Sequence, residues 1–432
     1  TDGMDGTNGT DGMDGTNGTD GTNGSASPNT MLTSISNPAA SLGCTAGGRV
    51  MMQGLDNGDG GGTAQNGVLE SGEVDYTTTY CSTYEIWQVA DIYIGSNSNP
   101  GYYMEILVGD TLYFSAQDGS TYYELWAHDT SNSSTWQVAD INSGGSSQPG
   151  RYIAILVGDT IYFDADDGSN GIELWAHDTS NSSTWMVADI NSGGNSYPGY
   201  DMEMLVGDTL YFDALDASSG IELWAHDTSN SSTWLVADIN SGASHSNPGY
   251  NMEILVGDTL YFSAQDGSSG HELWAHDTSN SSTWSVADIN QGSCGCPGKD
   301  SMEILVGDTL YFGANDGSNG VELWAHDTSN SSTWMVADID SGSGSSGFPG
   351  QYMAILVGDI LYFDASDGNY NKELWAHDTS NSSTWMVADI CSGCGSYPGG
   401  SLQILVGDTI YFDAGDGSNG TELWAHDTSN SS

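Results

Sequence analysis

The sequence predicts an all-β chain dominated by a seven-bladed β-propeller of four-stranded antiparallel blades. Three observations carry that expectation. A Val-Ala-Asp-Ile anchor recurs with its aspartates at Asp91, Asp140, Asp189, Asp238, Asp288, Asp338 and Asp389, a spacing of 49–51 residues, the length of a propeller blade. Within each period, two short apolar runs flank a Gly-Asp pair, which is the chemistry of a tight hairpin. The repeat is also out of phase at its ends, opening on its fourth strand and closing on its third.

One period shows the elements in order. Tyr102–Val108 reads as a strand, Gly109-Asp110 as a turn, and Thr111–Ala116 as a second strand. Asp118-Gly119-Ser120 turns the chain into a third strand, Glu124–Asp129, and a Thr-Ser-Asn-Ser-Ser turn leads into a fourth, Thr135–Ile141. The Ile-Leu-Val and Leu-Tyr-Phe runs are apolar on both faces, as strands sandwiched between neighbouring blades should be. The longest connection in each period holds its single proline (Pro100, Pro149, Pro198, Pro248, Pro297, Pro349 and Pro398) and is predicted to cross from blade to blade.

The phase at the ends then predicts a closure. Ile86–Ile92 has the sequence of a rim strand, whereas Glu422–Asp427 is a third strand with nothing after it. Pairing the two completes the last blade and removes the open edge.

Ahead of the repeats, residues 1–24 carry glycine at every third position, the register of a collagen triple helix, though without proline. A flexible Gly-rich tail is the alternative. Residues 25–43 read as a linker, and Cys44 to Cys81 bracket a small acidic module within residues 44–84. The domain division is thus 1–24, 25–43, 44–84 and 85–432.

The Glu-Leu-Trp-x-x-Asp motif, followed by Thr-Trp-x-Val-Ala-Asp-Ile and then Leu-Tyr-Phe, resembles the ELWxxDG repeats of bacterial and archaeal surface proteins over residues 85–432. The usual Gly-Thr after the aspartate is replaced here by Thr-Ser-Asn-Ser-Ser. That resemblance implies extracellular repeats without catalysis and names no ligand. The module resembles a Cys-flanked domain that follows collagen-like tracts, through Cys44, Gly47-Gly48, Gly54, Asp56, Asn66-Gly67-Val68-Leu69-Glu70, Glu73-Val74 and Cys81.

The module also has the spacing of a calcium loop: Asn66, the Val68 carbonyl, Glu70 and Glu73 fall at ligand positions, and Asp56 and Asp59 precede an insertion. A solvated acidic loop stapled by Cys44–Cys81 is the other reading. Cys294 with Cys296, and Cys391 with Cys394, read as local loop disulfides, with bridges between subunits as the alternative. Asn132, Asn181, Asn230, Asn280, Asn330, Asn381 and Asn430 lie in Asn-Ser-Ser sequons on one recurring turn, and Asn8, Asn17 and Asn23 add three in the tail, so N-glycosylation is expected there.

Composition bounds the function. The 432 residues hold 58 acidic and four basic side chains (Arg49, Arg151, Lys299 and Lys372), a formal charge of −54 that repels phosphate backbones and anionic lipid. No apolar run is long enough to span a membrane. Beginning at Thr1 rather than Met, the chain reads as a secreted product relieved of its export signal.

Seven His-Asp pairs, His128-Asp129, His177-Asp178, His226-Asp227, His276-Asp277, His326-Asp327, His377-Asp378 and His426-Asp427, repeat too regularly for an active site and read as structural turns. The paired tryptophans, such as Trp126 with Trp136, read as inter-blade core. The arginines that a sialidase propeller requires are missing, as are nucleophile-elbow and zinc-protease motifs, so no enzyme is expected. The expected function is a non-catalytic extracellular structural or adhesive protein, a subunit of a surface fibre self-associating through its tail as a trimer or filament. A calcium-dependent propeller adhesin or lectin, bound to surface glycans or proteins through its divergent crossover loops, is the alternative.

Overall fold

The computed structural model describes residues 30–37, 48–81 and 87–430, apart from 121, 269, 343, 369 and 370. The tail 1–24 with Asn8, Asn17 and Asn23, and also Cys44, lie outside the described residues. The chain divides into two compact units, Thr1–Val89 and Ala90–Ser432. In the first, β1 (Met31–Ser36), β2 (Gly48–Leu55) and β3 (Val74–Cys81) form one antiparallel sheet in that order.

The second unit is all-β. Among its described residues, six four-stranded antiparallel sheets are followed by one three-stranded sheet, each a meander of consecutive strands. This repeated sheet is the unit from which propellers are built. The first comprises β4 (Glu105–Val108), β5 (Thr111–Gln117), β6 (Tyr123–Asp129) and β7 (Ser134–Ala139).

Two boundaries differ from expectation by more than one residue, for physical reasons. The inner strand starts at Glu105 rather than Tyr102, because the N–H of Tyr103 donates to the Ser115 hydroxyl at 2.9 Å instead of to a neighbouring strand. The outer strand ends at Ala139 rather than Ile141. A register shift between Leu125 and Trp126 disrupts the ladder, and the Ile141 N–H donates to the Glu124 carboxylate at 2.7 Å.

Sheets pack face to face through a repeating interface. Met104, Tyr113, Leu125 and Ala127 of the first sheet meet Ile161, Phe163 and Ala165 of the second, and the pattern recurs down the series. This explains the uniformly apolar Leu-Tyr-Phe run: Tyr faces one neighbour, while the residues on either side of it face the other. The tryptophans divide. Trp175 packs against the core between the first and second sheets, whereas Trp136, Trp185, Trp234, Trp284 and Trp334 are 38–40% exposed on the outer strands. The second member of these five pairs is therefore surface rather than core between sheets, whereas Trp385 packs against the last interface.

The expected rim strand Ile86–Ile92 is not formed: residues 87–92 contain no strand, and Trp87 is 70% exposed. The last sheet has three strands, Gln403–Val406, Thr409–Gly415 and Thr421–Asp427, and its outer face is bare, with Ile404 50%, Val406 56% and Leu423 67% exposed.

Candidate functional site

The His-Asp pairs occupy equivalent structural positions. His177 is buried, its Nδ1 lies 2.8 Å from the Thr184 hydroxyl, and its ring sits 5.2 Å from that of Tyr113 on the preceding sheet. Burial lowers the pKa of His177, His226, His276, His326 and His377. Each following aspartate organises the turn: Asp129 accepts from the Ser131 N–H and hydroxyl and from Asn132 Nδ2, and those bonds from Ser131 hold its carboxyl below the usual range. The sequon asparagines thus sit on exposed turns with their amides bonded to these aspartates, as Asn181, Asn230, Asn280, Asn330 and Asn381 repeat.

In the small module, Asp56 is buried and accepts from the N–H groups of Asn66 and Gly67 at 3.1 and 2.8 Å. Glu73 accepts from Gly58 N–H and Glu70 N–H, Glu70 from Thr63 N–H, and Asp59 from Asn57 Nδ2, while the Asn66 side chain accepts from Val68 N–H. These carboxylates are turned onto backbone donors, and among the described residues no three His, Cys, Asp or Glu side chains gather as a metal shell. Cys81 is disulfide-bonded, and Cys294–Cys296 and Cys391–Cys394 are bridged within their loops.

Two sets of acidic residues that sequence reading passed over position the crossover loops. The first is the glutamate of Glu-Leu-Trp. Glu222 is fully buried, and its carboxylate accepts from Ile239 N–H at 2.7 Å, Ser246 N–H at 3.1 Å and the Ser246 hydroxyl at 2.7 Å. It ties both ends of its loop to the sheet. Burial pushes Glu124, Glu173, Glu222, Glu272 and Glu322 up to about 7. Invariance within the repeat was the available signal, masked because an acidic residue in a strand reads as a solvent-facing one.

The second set follows Tyr-Phe, where the repeats diverge into Ser115, Asp164, Asp213, Ser263, Gly313, Asp364 and Asp413. Each of the four aspartates uses Oδ1 to hold two successive N–H groups of the incoming loop, as Asp213 does with Asp201 and Met202 at 3.0 Å. The second oxygen then differs by sheet. Oδ2 of Asp364 takes the ammonium of Lys372 at 2.8 Å, whereas Oδ2 of Asp164 and of Asp213 is buried without a hydrogen-bond partner. Asp213 is 1% exposed and is pushed up to about 7 by burial, with the nearby Asp201 charge adding to the shift.

Asp213 lines a cavity of about 280 Å³ together with Tyr152, Ser196, Tyr197, Tyr200 and Ile221. The Tyr152 ring stands edge-on to Tyr197 at 5.6 Å and lies 5.1 Å from Tyr200. Asn195 Nδ2 donates to the Tyr197 hydroxyl at 2.6 Å and fixes that wall. The result is a small, partly open chamber with aromatic sides, lined in part by an aspartate whose second oxygen is unsatisfied.

No family model matches the chain, and no curated protein does. Among solved structures, the chain is similar to one from a mechanistic study of two prolyl endopeptidases (10% identity, 76% of this chain and 50% of that one, TM-score 0.40). It is also similar to a puromycin-hydrolysing peptidase of Mycobacterium tuberculosis (9% identity, 89% and 57%, TM-score 0.36) and to TolB from Acinetobacter baumannii (13%, 74% and 80%, TM-score 0.29). The chain spans about half the length of the first two. The structures matched are of peptidases and a TolB, and the expectation of a structural or adhesive surface protein, with its lectin alternative, is withdrawn. At these scores the likeness assigns no activity to this chain either.

Proposed function

We propose that the repeat unit closes into a seven-bladed propeller and serves as a binding module for a small ligand held in the Asp213 cavity. One observation carries the functional part: Asp213, which lines a formed cavity, has a carboxylate oxygen that is fully buried and has no partner. Leaving a buried polar group unpaired costs about 1–3 kcal/mol, so its position fits a site whose ligand supplies the missing bond. The ring closure is supported by the bare face of the last sheet, which repeats the residues that every earlier sheet buries against its successor. Two loop disulfides suit an oxidising setting for such a module.

A fragment screen read by NMR of selectively labelled tyrosines tests the site. Ligands are expected to shift the Tyr152, Tyr197 and Tyr200 ring signals while leaving Tyr261 and Tyr311, buried between other sheets, in place. A set of fragments that moves none of the three rings would remove the cavity from consideration.

A further inference from the structure

The sixth sheet of the repeat unit shows what the Asp213 cavity is built to hold. There, Lys372 reaches inward from the third strand, and its ammonium donates to Asp364 Oδ2 and to the Phe348 carbonyl, both at 2.8 Å. The Phe348 and Tyr352 rings flank it, with centroids 5.7 and 5.3 Å from the nitrogen. This is a complete ammonium site, with one buried carboxylate, one carbonyl and two π faces.

The third sheet repeats the carboxylate and one ring of that site without its cation. Asp213 takes the place of Asp364, Tyr197 that of Phe348 and Ile221 that of Lys372, as the strand pairings Leu215–Ile221 and Ser366–Lys372 establish, while Asp201 stands where Tyr352 does and adds a second carboxyl beside Asp213. Ile221 carries no charge, and Oδ2 of Asp213 has no partner, in a cavity that Asp213 lines together with Tyr152, Tyr197 and Tyr200. The available cation nearby does not fill the role. Arg151 stacks over Tyr152 at 5.1 Å and donates to Gln148, and it is not among the groups that shift Asp213.

We infer that the Asp213 cavity binds the ammonium group of a small primary alkylamine, in the manner in which Asp364 holds the chain's own Lys372. This rests on the reading of the cavity as a ligand site. A primary ammonium is specified over a quaternary one because Lys372 uses two N–H donors, which a tetraalkylammonium lacks. A volume of about 280 Å³ limits the ligand to one smaller than drug size. The surrounding charge of −54 concentrates cations at the surface, but a surface field does not distinguish one amine from another, whereas the cavity does.

Calorimetric titration in 0.5 M salt (about a 4–5 Å screening length, which suppresses the general field) provides the test. The probes are n-butylammonium, tetramethylammonium, n-butanol and butyrate. The proteins are the wild type, Asp213→Asn and Ile221→Lys, the last of which installs the sixth sheet's own lysine. The wild type is expected to bind n-butylammonium at one site, at least about tenfold more tightly than tetramethylammonium. Asp213→Asn should weaken that binding at least about tenfold, and Ile221→Lys should abolish it while raising the melting temperature. Binding should also strengthen as pH rises from 6 to 8, because the carboxyl must lose its proton to receive the cation.

Undiminished n-butylammonium binding in both variants would reduce the effect to general counter-ion attraction and overturn the inference. Binding of n-butanol or butyrate with shifts at the three tyrosines, but none of n-butylammonium, would overturn the ammonium assignment and leave the cavity a site. Failure of every probe to bind or to shift those rings would overturn both.

Discussion

Lys372→Ala is expected to cost about 3–5 kcal/mol, because it removes one partner of a buried pair and leaves the other. Lys372 is 5% exposed and Asp364 0%, and their 2.8 Å contact is the one ion pair among the described residues. Millimolar n-butylamine should restore part of the lost melting temperature by occupying the vacated space between Phe348 and Tyr352. Thermal denaturation with and without the amine reads both effects. A variant as stable as the wild type would mean that the pair carries no net stability.

Glu222→Ala is expected to cost about 1–3 kcal/mol, because the buried Ile239 N–H loses its acceptor while the Ser246 N–H and hydroxyl keep only the Ile221 carbonyl that they already share. Chemical denaturation measures it, with Glu222→Gln as the milder companion, because its amide oxygen keeps one of the two acceptor atoms. The same residues set a pH dependence. A carboxyl raised to about 7 when folded contributes stability that is full below its unfolded value and is lost as pH climbs through 7. Five such glutamates act together, while the buried histidines work the opposite way, losing their contribution below about 6.5. Between pH 7 and 8 the glutamates prevail. The melting temperature should fall across that interval, and less steeply in Glu222→Gln.

How much of this was legible in the sequence follows from what repetition encodes. Periodicity and the Gly-Asp hairpins located all four strands of the first sheet, because alternation and turn chemistry are local signals. The strand ends were not legible. Tyr103 and Ile141 continue an apolar pattern but give their N–H groups to side chains distant in sequence, Ser115 and Glu124. The glutamate clamp was hidden for a related reason: its partners lie 17 to 24 residues away, as for Glu222 with Ile239 and Ser246. The Asp213 cavity depends on comparing one repeat with another. Sequence reading looked for identity among the repeats, whereas the site arises where Ile221 stands in the place of Lys372. The reading of Ile86–Ile92 as a strand took repeat identity as sufficient, and residues 87–92 show that the motif alone does not impose pairing.

The claim that the repeats form one closed propeller is tested most directly by amide hydrogen exchange in the strand Thr421–Asp427. Closure requires the segment Ile86–Ile92 to take that edge, a pairing that residues 87–92 do not make here, and the outward N–H groups should then exchange as slowly as those of the equivalent strand Lys372–Asp378, which Ser383–Ala388 covers. Rapid exchange along Thr421–Asp427, with Lys372–Asp378 fully protected, would show an open edge and contradict the closed architecture.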